Sequence, residues 1–549
     1  MRVNRKLTCA MLALTLTISI PGGAFPQEDI PDAAAKGPAT ATPIEHLVVI
    51  FQENISFDHY FATYPNATNP TGEPTFTARV DTPAVNGLSG LLLTNNPNLN
   101  TANNTMTSDG ATNPFRLDRS QASTNDQDHD YTPEQMAFDH GLMDLFPASV
   151  GVPGTPPSPP PPIVSTTGLT MGYYDGNTVT ALWNYAQHFA MNDNSFDTNF
   201  GPSTVGAINL ISGQTNGVTI DNNPGGATIS DGNGGLTDIG DADPVGDVCS
   251  TTSGETLQFS GKNIGDLLNA AGITWGFFEG GFDLSLVNSN MTTGCHRTTT
   301  STITDVTKAD YIPHHQPFQY YVSTANPTHA RPTSVASIGT TDAAKHQYDS
   351  ADFFTALKAN NFPSVVFLKA PGFQDGHAGY SDPLDEQTFI ADTINTLEES
   401  KYWDTTAVVI AYDDSDGWYD HQMSPIVNQS ATSADALSGT GACGTGGEAL
   451  PGVNPATTHA QGRCGFGPRL PFMVISPFSK PNFVDHTLTN QASIIRFIED
   501  NWLAGARIGQ GSFDATSNSI TGMLDFKERQ SKLYVDPGTG DVLKKAPKE

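Results

Sequence analysis

The sequence predicts an α/β fold, in which a doubly wound, mostly parallel sheet is flanked by helices and carries long loop insertions. Short runs rich in β-branched and aromatic residues occupy 44–54, 363–373, 405–414 and 470–478. Each run ends in polar or turn residues, which is typical of buried parallel strands. Helix-like segments lie between these runs, and strands that alternate with helices favour a parallel sheet covered on both faces.

Two of the helix-like segments are well marked. Residues 132–146 begin with Thr132 as a candidate N-cap and with Pro133 at the first helical position, where a missing N–H costs nothing. Residues 489–503 form the second segment. We expect a helix in each.

Polar, turn-rich stretches interrupt this pattern. Residues 64–125, 213–250 and 425–463 are rich in Asn, Thr, Gly and Ser, and 151–162 is a proline-rich run typical of a surface excursion. No stretch has the composition of a linker followed by a second core. We therefore expect inserted loops within one domain, followed by a polar C-terminal tail over 526–549.

The N-terminal residues have the layout of a secretory signal peptide. Three basic residues precede an apolar run that extends to Ile20, and small residues suited to cleavage follow near Ala24. We expect a signal peptide over 1–24, a flexible segment over 25–43 and the domain itself over 44–525. The layout predicts a secreted or periplasmic protein.

The charge balance excludes some partners. Lys and Arg number 26 and Asp and Glu number 57, so that the formal net charge is -31. This charge repels nucleic acid and anionic membrane surfaces. No stretch after the leader is long and apolar enough to span a bilayer. An anionic substrate would therefore depend on a local positive group, such as a metal ion or a cluster of histidines.

Cysteine usage agrees with export. Cys9 lies in the leader, which leaves Cys249, Cys295, Cys443 and Cys464 for an oxidising compartment. Of the possible pairings we favour Cys249 with Cys295 and Cys443 with Cys464, because each would close a Gly/Thr-rich loop. A zinc site is the alternative, but the chain has no CxxC pair.

Polar residues follow three of the predicted strands directly or closely. Glu53 and Asn54 follow the first run, His377 follows the second, and Asp413 and Asp414 follow the third. The carboxyl ends of parallel strands form the crevice where ligands bind. Three carboxylates and an amide oxygen are hard donors for a divalent cation, and the cation would remove the repulsion between neighbouring carboxylates. The alternative for the acidic run is a solvated turn.

Several blocks of the chain resemble one family. They include "HLVVIFQENISFDHYFATYP", "QDHDYTPEQMAFDHGLMDLF", "NDNSFDTNFGPSTVGAINLISG", "YIPHHQPFQYY" and "YDDSDGWYDH", in the same order as in that family from about residue 44 to 502. The chain is similar to the bacterial phosphoesterases, which include secreted acid phosphatases of the alkaline-phosphatase-like fold and non-haemolytic phospholipases C. One departure is Ile55, where the family usually has Arg.

The resemblance implies a role for each matching residue. Ser203 would be the nucleophile that becomes a phosphoserine, and Thr204 is a weaker rival. One divalent metal ion, whose identity the oxygen donors leave open, would activate it. Histidines would surround the phosphate, and one would protonate the leaving oxygen. The implied metal ligands are Glu53, Asn54, Ser203, Asp413 and Asp414, and the implied histidines are His129, His314, His315 and His377.

Further alternatives remain at the level of sequence. Asp485 and His486 could be a second metal pair, or could simply cap a turn. Within the family we favour an acid phosphatase-like phosphomonoesterase, because two blocks are closer to that branch and because the chain ends soon after Trp502. A phospholipase C, acting on phospholipid head groups, is the alternative. A non-catalytic exported binding protein is a second alternative. A serine esterase is disfavoured, since no GxSxG motif is present.

Overall fold

An eight-stranded sheet forms the centre of the molecule. The structure is a computed structural model that describes residues 39–105, 112–153, 166–444 and 462–547. The strands of this sheet are β1 (His46–Gln52), β2 (Ala190–Asn192), β3 (Trp275–Glu279), β4 (Gln347–Asp349), β5 (Val365–Lys369), β6 (Thr406–Tyr412), β7 (Phe472–Ile475) and β8 (Phe483–Asp485). Their order across the sheet is β4-β3-β5-β1-β6-β7-β2-β8.

The strand directions confirm the predicted α/β class with a mostly parallel sheet. β5, β1 and β6 are adjacent and parallel, as predicted. The prediction was wrong for the direction of β7, which runs antiparallel to both β6 and β2. A strand that runs parallel to β6 needs a crossover connection, which returns the chain to the end of the sheet where β6 begins. The described part of the chain between β6 and β7 has no α-helix to make that crossover. Strand β7 therefore starts at the end of the sheet where β6 finishes.

Both faces of the sheet are covered. Along β1, Leu47, Val49 and Phe51 enter one apolar core, whereas Val48 and Ile50 enter the other, as the alternation of a strand requires. The α-helices of the described residues are α1 (Phe57–Phe61), α2 (Leu91–Thr94), α3 (Tyr131–Phe138), α4 (Phe146–Ser149), α5 (Thr180–His188), α6 (Ser203–Ser212), α7 (Ile264–Ala271), α8 (Ser350–Lys358), α9 (Pro383–Glu399) and α10 (Ala492–Trp502). Helices α5, α8 and α9 cover the Val48 face, and α6, α7 and α10 cover the Leu47 face.

Helix α10 matches its prediction, but α3 is shorter than predicted. It begins at Tyr131 with Asp130 at the N-cap position, so Thr132 lies inside it and donates its hydroxyl to the carbonyl of Ala434 at 2.6 Å. It ends after Phe138, because Asp139 adopts a left-handed conformation with φ of 36°. That conformation is incompatible with a continuing right-handed helix.

Part of the predicted loop 213–250 is regular structure instead. A five-stranded sheet has the order Thr228–Ser230, Leu236–Asp238, Asn216–Asn222, Thr256–Phe259 and Asp243–Pro244. Short strand pairs join Phe115–Arg116 to Gly172–Tyr173, Ser195–Phe196 to Thr489–Asn490, and Thr298–Thr300 to Thr307–Ala309. Because the inserted sequence is polar, its strand pattern is weak, and the pairing is decided by tertiary contacts.

Both preferred disulfides are confirmed. Cys249 pairs with Cys295, and Cys443 pairs with Cys464. The competing interpretation of the cysteines as a zinc site is therefore wrong.

Residues near the chain termini make specific contacts. The predicted signal peptide lies outside the described residues, as does most of the proline-rich run. The backbone N–H of Ala41 donates to the carbonyl of Asn501 at 2.9 Å. In the polar tail, Leu533 and Val535 are buried against the core on the α9 face. Contacts group residues 40–549 into one compact unit. None of the described helices combines the length and the apolar character that a bilayer crossing requires.

Candidate active site

The polar residues that follow β1 and β6 meet the start of α6. Glu53 and Asn54 come directly after β1, Asp413 and Asp414 directly after β6, and Ser203 is the first residue of α6. All of them are buried, with at most 2% of each residue exposed. Since β1 and β6 are adjacent and parallel, their carboxyl ends bring the four ligand candidates to one edge of the sheet.

The hydroxyl of Ser203 lies at the centre of this group. Its Oγ is 2.9 Å from Oε2 of Glu53, 3.1 Å from Oδ2 of Asp414 and 3.3 Å from Oδ1 of Asn54. A hydroxyl has one proton to donate, so it satisfies only one of these three acceptors at a time. The structure thus brings together the residues that the resemblance implied as nucleophile and as metal ligands, and it places more carboxylate oxygens than hydroxyl protons among them.

Backbone contacts hold the carboxylates in place. The N–H of Asn54 donates to Oδ1 of Asp413 at 3.0 Å, and the N–H of Asp416 donates to Oδ1 of Asp414 at 2.7 Å. Asn54 has a φ of 55°, a left-handed conformation that Asn tolerates better than most residues. At Gly206, a Cβ atom would lie 2.0 Å from the carbonyl oxygen of Asp413, so only glycine lets α6 approach β6 this closely.

The amide of Asn54 has two orientations with different partners. With its nitrogen toward the carboxylates, the amide donates to Oε2 of Glu53 at 2.6 Å and to Oδ1 of Asp413 at 3.1 Å, and its oxygen lies 3.3 Å from Nε2 of His129 and 3.1 Å from Nε2 of His377. This orientation satisfies the amide within the protein. The opposite orientation turns the amide oxygen toward Glu53 and Asp413, where a divalent ion would bind hard oxygen donors. Buried carboxylates beside an amide that can present its oxygen therefore fit the implied metal.

The pKa values of the two aspartates also favour a bound cation. Burial and the neighbouring charge of Glu53 raise the pKa of Asp413 well above its usual range. Burial also raises the pKa of Asp414, to about 7, against the opposing effect of His129. Without a cation the cluster therefore retains protons near neutral pH. A bound cation would favour the fully ionised ligands.

Sequence reasoning missed Lys369, the last residue of β5. Its ammonium group contacts Oε1 of Glu53 and lies 3.4 Å from Oδ2 of Asp413, and its side chain is 1% exposed. Burial lowers the pKa of Lys369, but Asp413 and Glu53 raise it above its usual value. A lysine that ends a buried strand at the sheet edge carrying the acidic residues is the signal that could have identified it.

The four predicted histidines lie at different distances from the ligand cluster. Nε2 of His129 is 3.3 Å from the amide nitrogen of Asn54, next to His377. His315 is buried, with Nδ1 3.3 Å from Oε1 of Glu53. His314 is further out, with Nδ1 3.4 Å from Oδ1 of Asp243.

Their charge states differ because their surroundings differ. Burial lowers the pKa of His129, but Asp414, Asp126 and Asp241 raise it to about 10, so this ring carries a positive charge at neutral pH. Burial lowers the pKa of His377 and lowers that of His315 well below its usual range. The cluster can therefore offer both a charged donor and neutral rings.

Acidic residues lie beside this cluster at the surface. Asp126 is exposed and has Oδ1 3.6 Å from Nδ1 of His129, while Asp130 follows that histidine in the chain. Exposed Asp241 accepts the N–H of Thr204 at 2.9 Å, next to Ser203. We call the surface that carries these three aspartates the mouth of the site. Its negative charge repels an anionic substrate, and the repulsion grows with the charge of that substrate.

Two other sequence predictions have simple structural outcomes. Ile55 is 2% exposed and packs in the core on the Val48 face, so this apolar residue is part of the fold.

Asp485 accepts the N–H and hydroxyl of Thr487 at 3.3 and 2.9 Å, as a turn cap does. His486 is exposed and pairs with Asp193 at 2.6 Å. No contact in the described residues joins this pair to Ser203, which favours the capping interpretation.

A second buried acidic group lies further along the same two chain segments. Arg469 contacts Oδ1 of Asp58 and Oδ2 of Asp420, each at 3.1 Å, and stacks on Phe57. His421 places Nδ1 2.6 Å from Oδ2 of Asp58. We call these residues the Arg469 cluster.

Comparison with known proteins identifies the family of this chain. The model of the Phosphoesterase family matches residues 44–504 of this chain. A buried serine among carboxylates at the edge of a parallel sheet suits phosphoric ester hydrolases, the class that this match indicates. The match covers most of the chain, and this protein belongs to the Phosphoesterase family.

Two curated relatives are phospholipases C. The chain is 24% identical over 476 residues to the non-hemolytic phospholipase C of Pseudomonas aeruginosa, covering 84% of this chain but 54% of that protein. It is 24% identical over 475 residues to phospholipase C A of Mycobacterium tuberculosis, covering 84% of this chain and 73% of that protein. This chain therefore spans about half the length of the Pseudomonas relative.

Solved structures with a similar arrangement are distant. A protein in the alkaline phosphatase superfamily from Vibrio parahaemolyticus is 14% identical, with 62% of this chain and 64% of that chain covered and a TM-score of 0.26. The α/β class of this protein follows from its own eight-stranded, mostly parallel sheet.

Proposed function

We propose that this protein is a phosphodiesterase of the phospholipase C type that uses Ser203 as its nucleophile and one divalent metal ion. The observation that carries the proposal is the position of the Ser203 hydroxyl, 2.9 Å from Glu53 and 3.1 Å from Asp414 at the edge of the sheet. Glu53, Asn54, Asp413, Asp414 and Ser203 would hold the ion. When bound, the ion would lower the pKa of the serine hydroxyl and polarise a phosphoryl oxygen.

The chain's own residues then account for the reaction. Ser203 Oγ forms a bond to phosphorus while the bond from phosphorus to the leaving oxygen breaks. His129, charged at neutral pH in the metal-free site, would donate a proton to that leaving oxygen. Water then attacks the phosphoserine and returns a proton to His129, while the bond from phosphorus to Ser203 Oγ breaks. This step releases the phosphorylated head group and restores the serine oxygen.

Two observations favour a diester over a monoester substrate. The curated relatives above are named phospholipases C, whereas the sequence blocks had favoured an acid phosphatase-like phosphomonoesterase. In addition, exposed Asp126, Asp130 and Asp241 make the mouth negative. A phosphomonoester carries a charge of about -1.5 to -2 at neutral pH, against about -1 for a diester, and is repelled more strongly. We therefore prefer the phospholipase C type.

Export is part of the proposal. Two disulfides within the described residues are typical of an oxidising compartment. We propose a secreted or periplasmic location, in agreement with the predicted signal peptide.

The test uses the purified chain and three chromogenic substrates. These are the p-nitrophenyl esters of phosphorylcholine, phosphate and acetate, each with and without chelator. We expect the largest kcat/KM for the phosphorylcholine diester, loss of that activity with chelator, and recovery with a divalent ion. If p-nitrophenyl phosphate were hydrolysed as fast as the phosphorylcholine diester, or faster, the result would favour a phosphomonoesterase instead. Hydrolysis of the acetate ester alone, unaffected by chelator, would contradict phosphoester chemistry.

A further inference from the structure

The two oxygens of Glu53 face different neighbours. Oε2 lies 2.9 Å from the Ser203 hydroxyl, on the side of the proposed metal ion. Oε1 contacts the ammonium group of Lys369 and lies 3.3 Å from Nδ1 of His315. The two oxygens of Asp413 also have different neighbours: Oδ1 accepts the N–H of Asn54, whereas Oδ2 lies 3.4 Å from the ammonium group of Lys369. Each carboxylate therefore offers one oxygen to each of two adjacent positions.

The position at Lys369 has the donors of a metal site. One ligand atom from each of Glu53, His315 and Asp375 lies within 4.8 Å of the others, and all three residues are buried. Together with Oδ2 of Asp413 they form a set of carboxylate oxygens and one imidazole nitrogen. Such a set accepts Zn²⁺, Mn²⁺ or Fe²⁺. The ammonium group is the cation that this position contains in the structure.

We propose that the ammonium group of Lys369 takes the place of a second metal ion, so that the site is built for one ion beside a fixed cation. The inference rests on the proposed function for the position of the first ion. Three carboxylates, Glu53, Asp413 and Asp414, carry three negative charges, which one lysine and one divalent ion neutralise. Lys369 is then a positioning residue that bridges Glu53 and Asp413 and excludes a second ion.

The inference predicts that shortening Lys369 opens a second metal site. In Lys369→Ala the ammonium group is gone and the space it occupied is free, so we expect metal-free protein to bind about two equivalents of Mn²⁺ or Zn²⁺ instead of one. Lys369→Met removes the charge but fills the space, so we expect one equivalent, bound more weakly. Lys369→Arg retains the charge, and we expect one.

The measurement is metal content by elemental analysis, together with calorimetric titration of the metal-free full chain. Lys480→Ala is the matched control, because the Lys480 ammonium lies 4.5 Å from the centre of the Phe483 ring and forms no ion pair with the ligand cluster within the described residues. We expect it to bind one equivalent.

Two results would overturn the inference. One is two equivalents in the wild-type protein, which would show that Lys369 excludes nothing. The other is a single equivalent in Lys369→Ala under saturating metal. Should Lys369→Ala fail to fold, the wild-type stoichiometry still decides. A wild-type protein that binds no metal and hydrolyses the diester despite chelator would instead contradict the proposed function.

Discussion

Two buried acidic groups lie on the same two chain segments, and they neutralise their charge differently. In the Arg469 cluster, Asp58 and Asp420 share a fully buried guanidinium group, so a protein cation satisfies both carboxylates. In the ligand cluster, Lys369 pairs with Glu53 and Asp413, but Oε2 of Glu53 and Oδ2 of Asp414 share the single proton of the Ser203 hydroxyl. Because three carboxylates meet one buried lysine there, we expect a bound cation to supply the remaining positive charge.

The comparison separates a structural cluster from a functional one. A buried carboxylate that is fully paired holds segments together, and removal of its partner costs stability. A buried carboxylate that is left short of donors is a source of strain in the metal-free protein and a source of affinity for a cation. Substitutions in the two clusters should therefore act in opposite directions.

The largest effect is expected for Ser203→Ala. Loss of the proposed nucleophile should lower kcat/KM for the phosphorylcholine diester by at least about a thousandfold, because within the described residues no other hydroxyl contacts the proposed metal ligands. Thr204→Val is the matched control on the next residue of α6, and we expect it to retain activity within a few fold. Steady-state kinetics measures both. Similar activity in the two variants would remove Ser203 from the mechanism.

A ligand substitution should separate metal affinity from stability. Asp414→Asn should weaken divalent-ion binding by about a hundredfold or more. It should also raise the stability of the metal-free protein by about 1 kcal/mol, because one buried charge is removed from an underneutralised group. Calorimetric titration and urea unfolding measure the two effects. Asp420→Asn is the matched control, and we expect metal binding to persist while stability falls.

The Arg469 cluster should respond to loss of its cation. Arg469→Met leaves two buried carboxylates unpaired and should lower the free energy of unfolding by about 3–5 kcal/mol. Arg469→Lys retains the charge without the planar fork and should lose less. Urea unfolding of the metal-free proteins gives the values. A cost below that of Arg469→Lys would contradict a structural role.

The smallest effect concerns the pH dependence of stability. Burial lowers the pKa of His421, but Asp58 raises it above its usual value, so the charged ring stabilises the fold. Because the folded pKa is raised, this stabilisation is fully present below about pH 6.5 and is lost as the pH rises through the folded pKa. His421→Gln should lower stability by about 1 kcal/mol at pH 6 and by less at pH 9. Equal losses at both pH values would indicate packing alone.

Sequence reasoning reached much of this architecture. The strand runs at β1, β5 and β6, helix α10 and both disulfides were predicted correctly, because periodicity and loop composition are local signals. The same reasoning gave the wrong direction for β7 and treated residues of the five-stranded sheet as loops. Strand direction depends on where the chain returns to the sheet, which is not a local property.

The candidate site shows the same division. The candidates for chemistry could be read from the chain: a serine in a block that resembles the family, carboxylates after apolar runs, and histidines in polar loops. The groups that these residues contact could not be read from the sequence. Lys369 ends an apolar run, but the sequence does not show which acids it contacts, and Arg469 lies far along the chain from both acids that it contacts.

The amino-acid sequence by itself therefore determined the residue types, the strand and helix periods and the acidic character of this protein, since these are properties of neighbouring residues. Only the tertiary structure decided which acids receive a protein cation, namely Asp58 and Asp420 from Arg469 and Glu53 and Asp413 from Lys369. The reason is that neutralisation of a buried charge depends on distances of a few ångströms between groups that the chain separates by tens to hundreds of residues.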